Sequence, residues 1–86
     1  MNKLCINTVL EHMNTLERMK NKYDERASGL YKQGNVDRAA KIDYKVELYD
    51  REICGIEYTL RKLGLGVWKT KEGEWVIPTD DIIRAT

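Results

Sequence analysis

The sequence of 86 residues contains no phenylalanine, one proline, one histidine and two cysteines. Any core must therefore be built from leucine, isoleucine, valine, methionine, tyrosine and two tryptophans. No hydrophobic run approaches the ~20 residues that a membrane-spanning helix needs. The N-terminal stretch also lacks the apolar segment of a secretory signal peptide. These absences predict a small cytoplasmic protein that does not bind a membrane.

An excess of positive or negative charge is also lacking, since 15 basic and 14 acidic residues leave a net charge of +1. A bulk charge of this size does not draw in nucleic acid or acidic membrane, although it leaves room for local patches. Hydrophobic residues make up 42% of the chain and charged residues 34%, which is typical of a folded, surface-rich helical protein. At this length we expect a single domain, 1–86.

Two ladders of helix-spaced residues, with alternating steps of three and four, occupy most of the chain. This spacing is typical of the contact seam of a coiled coil. The first ladder is Ile6, Val9, Met13, Leu16, Lys20, Tyr23, Ala27 and Leu30, and the second is Ala39, Ile42, Val46, Tyr49, Ile53, Ile56, Leu60 and Leu63. We predict that residues 3–63 form a long antiparallel two-helix hairpin.

Turn residues mark the ends of the two predicted helices. Gly34 can supply the left-handed position that ends the first helix, and Asn35 is expected to cap the second. Gly64 ends the second helix in the same way. Because the turn is short, Leu30 should pair with Ala39. In an antiparallel pair, each step back along the first helix is then matched by a step forward along the second.

This register makes specific pairings across the seam. They are Leu16 with Ile53, Ile6 with Leu63, Tyr23 with Val46, Lys20 with Tyr49, and His12 with Glu57. The same register separates Cys5 from Cys54 by about ten residues, or roughly 15 Å along the axis. A disulfide needs Cα atoms within ~7 Å, so both cysteines are expected to be reduced.

After Gly64 the pattern changes to two β-prone stretches around Glu72 and Gly73, which predicts a β-hairpin over 67–77. A two- or four-residue loop would place Trp68 and Trp75 on one face, whereas a three-residue loop would separate them. We prefer the first register because it gathers the aromatic side chains.

The single proline, Pro78, ends the second strand because it cannot donate a ladder hydrogen bond. A short helical turn is then expected over 79–84. The predicted fold class is α+β, mainly α: a long antiparallel two-helix hairpin, a small β-hairpin and a short C-terminal helical turn.

The sequence contains no recognisable catalytic, phosphate-binding or metal-binding motif. Ser28 is the only serine and has no histidine at a matching level. Gly64 and Gly66 precede a strand, whereas a phosphate-binding loop precedes a helix. No pair of Cys or His residues has the close spacing of a metal site. We predict no catalytic, cofactor-binding or metal-binding residues, and hence no enzymatic activity.

A further row of residues on the second helix lies away from the seam. It contains Tyr44, Leu48, Arg51 and Tyr58, with Gly55 in the same row. A glycine within a helix costs about 1 kcal/mol relative to alanine, which suggests that something bulky approaches there. The simplest interpretation is that the row is a platform for the β-hairpin. Alternatively, the row contacts a second copy of the chain or a foreign protein.

We predict a protein-binding module that presents a rigid surface. The expected contact residues are Tyr44, Leu48, Arg51, Tyr58, Trp68 and Trp75, since aromatic residues and arginine are enriched at interface hot spots. Small chains without motifs are frequent among accessory and inhibitor proteins of bacteriophages and other mobile elements, which bind host proteins. One alternative is a homodimeric four-helix bundle. The other is a nucleic-acid-binding regulator that uses the basic residues of the β-hairpin region, Arg61, Lys62, Lys69 and Lys71.

Overall fold

The computed structural model describes residues 3–78, and their side chains from residue 5 onward. Two helices, α1 (Lys3–Lys32) and α2 (Val36–Lys62), are followed by two short strands, β1 (Trp68–Lys69) and β2 (Trp75–Val76). The helices pack together along their length and the strands pair antiparallel. The predicted α+β, mainly α class is confirmed. The helical turn predicted over 79–84 lies outside the described residues.

The turn between the helices has the predicted geometry at its glycine. Gly34 adopts φ 79°, its N–H donates to the Tyr31 carbonyl at 3.0 Å, and the Asn35 N–H donates to the Leu30 carbonyl at 2.9 Å. These two bonds form a Schellman motif, which satisfies the last carbonyls of α1. Asn35 holds the N-cap position of α2 as expected, but its side chain makes no capping hydrogen bond. That part of the prediction is wrong.

The end of α2 repeats the same motif. Gly64 adopts φ 84°, and the Leu65 N–H donates to the Leu60 carbonyl at 3.0 Å. Leu60 and Leu65 are both buried, which supplies the hydrophobic contact that accompanies this motif. The chain therefore leaves α2 with its next apolar side chain already directed into the core.

The two ladders form the helix–helix contact, with one exception. Their fully buried members are Ile6, Met13, Leu16, Ala27, Ala39, Ile42, Ile53 and Leu60. The half-buried members are Val9, Lys20, Tyr23, Leu30, Val46, Tyr49 and Ile56. The prediction is wrong for Leu63, which is exposed because it is the C-cap residue, one position beyond the end of α2.

Contacts between side chains show the antiparallel register directly. Lys20 Nζ lies 3.4 Å from Asp50 Oδ1, next to the predicted partner Tyr49. Tyr23 stacks on Tyr49 with ring centroids 5.9 Å apart, one turn from the predicted Val46. Both contacts place the middle of α1 against the middle of α2.

His12 pairs differently from the prediction. Its Nε2 lies 3.4 Å from Glu52 Oε1, whereas Glu57 accepts hydrogen bonds from Arg61. The predicted His12–Glu57 pair is therefore wrong. The seam separates two sides of the helix pair, and His12 and Glu52 lie on one of them while Glu57 faces the β-hairpin on the other.

The β-hairpin has the register that we did not prefer. Trp68 pairs with Val76 and Lys69 pairs with Trp75. Directly opposed residues share a face of a sheet, so Trp68 and Trp75 lie on opposite faces. The prediction that the two tryptophans share one face is wrong.

A three-residue loop produces this register. The Thr70 N–H donates to the Glu74 carbonyl at 2.8 Å, and the Gly73 N–H donates to the Thr70 carbonyl at 2.9 Å. Gly73 adopts φ 83°, which is the type I turn with a following left-handed glycine that is common in three-residue hairpins. The inner face then carries Lys69 beside Trp75, because Lys69 has a buried partner on α1.

The inner face of the β-hairpin packs on one side of the helix pair and completes the core. The core residues are Ile6, Met13, Leu16, Ile53, Leu60, Leu65, Val67, Trp75 and Ile77. Asn14 of α1 holds the second strand, since its Oδ1 accepts the Trp75 N–H at 2.6 Å and its Nδ2 donates to the Trp75 carbonyl at 3.2 Å. Asn14 therefore acts as one more strand partner at the edge of the small sheet.

Candidate protein-binding surfaces

The row of Tyr44, Leu48, Arg51 and Tyr58, here called the outer row, is exposed along α2. The exposed fractions are 59% for Tyr44, 44% for Leu48 and 63% for Tyr58. The β-hairpin packs against α1 and the end of α2 instead. The interpretation of the outer row as a platform for the β-hairpin is therefore wrong.

Gly55 lies beside the outer row without a close neighbour. A Cβ built on it would meet nothing within 4 Å. Of the groups that could approach Gly55, the β-hairpin is therefore excluded over residues 3–78, and a second copy or a foreign protein remains. The glycine therefore leaves a gap in the surface of α2, through which another molecule can reach the helix backbone.

Polar groups in and near the outer row are held by neighbours on the same helix. Arg51 Nη2 donates to Glu47 Oε1 at 2.7 Å, and Lys62 Nζ lies 5.3 Å from the centre of the Tyr58 ring. These i, i+4 contacts restrict the side chains at little cost, since one regular helix positions both members of each pair. The side chains of Arg51 and Tyr58 are therefore partly ordered by α2 itself.

The two tryptophans differ in what they can contact. Trp68 is 54% exposed on the outer face of the β-hairpin, whereas Trp75 is only 8% exposed and belongs to the core. Trp75 is therefore not presented to a partner, and the structure removes it from the expected contact residues. Trp68 remains available.

Glu17 is a buried carboxylate that sequence reasoning did not single out. Its side chain is 4% exposed, with Oε1 at 2.7 Å from Lys69 Nζ and Oε2 at 3.6 Å from Lys20 Nζ. Lys69 Nζ also lies 5.6 Å from the centre of the Trp75 ring. This arrangement ties the inner face of the β-hairpin to α1. No sequence pattern marks it, because Glu17 stands outside the ladder.

The basic residues near the β-hairpin are mostly engaged within the molecule. Arg61 binds Glu57 and also donates to the Val67 carbonyl at 3.0 Å. Lys69 binds Glu17, and Lys62 lies over Tyr58. Lys71 is exposed in the loop, and no ion pair between described residues includes it. Three of the four cations therefore already have partners within the chain.

The side of the helix pair away from the β-hairpin carries a shallow groove, here called the open groove. At one end it is lined by Val9, Ile56 and Leu63, together with Gly55 and Thr59. Its middle is lined by the stacked Tyr23 and Tyr49, with Leu48, Lys45 and Glu52. Leu48 belongs to both the outer row and the open groove, so the two surfaces are continuous.

Tyr31 bridges the helices near the turn. Its hydroxyl donates to Asp43 Oδ2 at 3.0 Å. This hydrogen bond to a carboxylate raises the pKa of Tyr31 above its ordinary value, because it favours the protonated phenol. The contact adds a polar tie to the end of the helix pair where the seam residues are small.

Residues 3–78 contain neither a cluster of metal-ligating side chains nor a membrane-spanning helix. No group of three or more His, Cys, Asp or Glu residues there could hold a metal ion. None of the helices in this range is long and apolar enough to cross a membrane. Cys5 and Cys54 are both exposed and form no disulfide, as the register predicts.

Comparison with known proteins gives no relatives. No protein-family model matches the chain, and no curated protein or solved structure matches it. The exposed surfaces of the chain itself therefore carry the information about function.

Proposed function

We propose that this protein is a non-enzymatic module that binds another protein through the outer row. The observation that supports this is the exposure of Tyr44, Leu48 and Tyr58 along one face of α2, while the β-hairpin covers a different side of the helix pair. Clustered exposed hydrophobic side chains mark interaction sites on small soluble proteins. Tyrosine is among the residues that dominate interface energies.

The outer row can bind a partner by inserting its aromatic side chains into a groove. Tyrosine has few rotatable bonds, so anchoring it loses little conformational entropy. Arg51 donates from Nη2 to Glu47 Oε1, and the other N–H groups of its planar guanidinium can bind a partner carboxylate. Since α2 is packed along its length on α1, the row behaves as a rigid ridge.

Photo-crosslinking in cells of the natural source tests this proposal. Replacement of Tyr44 or Tyr58 by the photoreactive amino acid benzoylphenylalanine should yield one discrete covalent adduct with another protein after irradiation. Tyr31 is the matched control, since it is an exposed tyrosine outside the outer row. The purified partner should then bind Tyr44→Ala and Tyr58→Ala at least about tenfold more weakly than the wild type. Adducts no stronger at Tyr44 and Tyr58 than at Tyr31 would contradict the proposal.

The predicted alternatives have less support. A nucleic-acid site at the β-hairpin would need cations that Arg61 and Lys69 already commit to Glu57 and Glu17. A homodimeric four-helix bundle would use the outer row itself. It is tested by light scattering of the wild type and of the variant with Tyr44→Glu and Tyr58→Glu. That the partner is a host protein of a bacteriophage or other mobile element stays a prediction from the sequence alone, as does a cytoplasmic location.

A further inference from the structure

Four cationic side chains converge at the end of the open groove nearest the Gly34 turn. Arg26 of α1 and Arg38, Lys41 and Lys45 of α2 line one cavity together with Tyr23, and no acidic residue lines it. The ion pairs between described residues do not include any of these four. Lys45 Nζ instead lies 5.4 Å from the centre of the Tyr23 ring. This group, here called the basic end, is an uncompensated positive patch on a nearly neutral protein.

The basic end is continuous with the rest of the open groove. It shares Tyr23 and Lys45 with the middle of the groove, and the middle shares Glu52 with the apolar end. From Lys41 to Leu63 the groove follows α2 for roughly 33 Å at 1.5 Å per residue. One groove therefore runs from a cationic end, past stacked aromatic rings, to an apolar end.

We infer that the open groove binds an amphipathic helix of another protein, with acidic residues at one end of that helix. Its carboxylates would meet the guanidinium and ammonium groups of the basic end. Its apolar residues would pack on Val9, Ile56 and Leu63. Gly55, with open space where a side chain would be, lets the partner helix come close to α2. This inference rests on the proposed protein-binding function and adds the chemistry of the partner.

The distribution of charge disfavours a second copy of this chain as the occupant. In a twofold antiparallel pairing through this groove, the cations of each copy would lie beside the apolar end of the other. In a parallel pairing they would lie beside each other. Neither arrangement supplies the carboxylates that the basic end requires, and juxtaposed like charges cost several kcal/mol in interfaces.

Nucleic acid is also a poorer fit than an acidic helix. Phosphates repeat along a nucleic acid, so its binding groove is positively charged along its length. Here the cations end at Lys45, and the groove continues past Glu52 onto apolar side chains. An acidic amphipathic helix matches both parts of the groove.

Selection from a phage-displayed peptide library tests the inference. The library consists of helical peptides with a fixed apolar stripe and randomised polar positions, and the bait is the whole protein. Peptides selected on the wild type should be enriched in Asp and Glu at one end. Selection on the variant with Arg38→Glu and Lys41→Glu should lose this enrichment. The variant with Lys32→Glu and Lys71→Glu has the same net charge and should keep it.

A selected peptide with a fluorescent label then gives affinities by anisotropy. The affinity should fall at least about tenfold for Arg38→Glu with Lys41→Glu, and less than about twofold for Lys32→Glu with Lys71→Glu. It should also weaken as salt increases, since the basic end is exposed. Circular dichroism and urea unfolding of both double variants verify that they fold.

Several outcomes would overturn the inference. They are a library without enrichment, selected peptides without acidic bias, and an acidic bias that survives the change at Arg38 and Lys41. Competition of the peptide by a single-stranded DNA oligonucleotide of comparable affinity would favour nucleic acid. A dimer in light scattering that Leu63→Glu, a change at the apolar end of the groove, disrupts would favour a second copy. If crosslinks at Tyr44 and Tyr58 succeed while the selection fails, protein binding stands and the acidic helix does not.

Discussion

Replacing Lys69 by methionine should destabilise this protein, because it removes the closer of the two charged partners of a buried carboxylate. Glu17 is 3% exposed, and Lys69 Nζ donates to its Oε1 at 2.7 Å. Methionine keeps an unbranched stem that can still pack on the Trp75 ring. The substitution therefore removes the ammonium group with little loss of packing.

The size of the effect follows from this geometry. A hydrogen bond to a charged group contributes about 1.5–3 kcal/mol, and the 42% exposure of the Lys69 side chain points to the lower end. Adding the contact of the ammonium with the Trp75 ring, we expect a loss of about 2 kcal/mol in the free energy of unfolding. Domains of this length have roughly 4–13 kcal/mol in total. The melting temperature should fall by about 8–16 °C.

Urea unfolding in a double-mutant cycle provides the assay. Lys69→Met is measured alone, and again in a chain that carries Glu17→Leu. Without the carboxylate, Lys69→Met should have almost no effect, since replacing a whole buried pair by apolar groups is often neutral. Lys71→Met is the matched control on the same β-hairpin, and it should change stability by less than about 0.5 kcal/mol.

Two results would refute this reasoning. The first is a Lys69→Met variant that unfolds at the same urea concentration as Lys71→Met. The second is an equal effect of Lys69→Met with and without the Glu17 carboxylate. Either result would mean that Lys20, whose Nζ lies 3.6 Å from Oε2, or water, rather than Lys69, stabilises the charge of Glu17 in the folded protein.

Further predictions concern three other contacts. Asn14→Ala leaves the N–H and C=O of Trp75 without their partners, so it should lower the free energy of unfolding by about 2 kcal/mol and speed hydrogen exchange at the Trp75 amide. Gly55→Ala should stabilise the protein to urea by up to about 1 kcal/mol, because the added methyl group meets nothing within 4 Å. Asp43→Asn should lower the pKa of Tyr31 in an ultraviolet titration of the phenolate, because the carboxylate acceptor is lost. A raised folded-state pKa means that this contact stabilises the protein at lower pH, and that the contribution disappears as pH rises through the folded pKa of Tyr31.

Each of these predictions has a control within the chain. Asn21→Ala should leave both urea unfolding and hydrogen exchange unchanged, since Asn21 is exposed on α1. Gly34→Ala should destabilise by about 1–2 kcal/mol, in contrast to Gly55→Ala, because Gly34 has φ 79°. Asp24→Asn should not change the titration of Tyr31. The reasoning fails if a control and its partner variant behave alike.

The helical part of the fold could be predicted because the residues that form the helix–helix contact recur at a regular spacing. A seam between two long helices requires apolar residues every three or four positions, and that requirement is visible in the sequence. Gly34 and Gly64 could be identified as helix ends because left-handed backbone favours glycine. Leu63 fits the period and is still exposed, since the period does not indicate which residue is the last of a helix.

The register of the β-hairpin could not be predicted in this way. Grouping Trp68 with Trp75 assumed that aromatic side chains collect on the buried face. In the structure Lys69 occupies that face, because Glu17 on α1 gives its ammonium a partner. A pairing between residues 52 positions apart leaves no local signal, and alternation within two short strands is too brief to outweigh it.

The candidate surfaces were predictable in part. The outer row follows from helix spacing and is exposed, but the sequence does not show which side the β-hairpin covers. The basic end was missed because Arg26 lies on α1 and Arg38 on α2, so their proximity depends on the antiparallel pairing. The predicted register does not reveal it either, since that register places Arg26 level with Asp43 and Lys41 level with Ser28.

The hydrogen bonds between Asn14 and Trp75 join positions 61 residues apart, which affects the rate of folding. These hydrogen bonds can form only after the two helices have paired, because the Asn14 amide has no partner until β2 docks on α1. Native contacts between remote parts of a chain slow its folding. The chain should therefore fold in two phases, with fast pairing of the helices followed by slower docking of the β-hairpin. Between these phases, the apolar side of the helix pair that the β-hairpin covers is exposed to solvent.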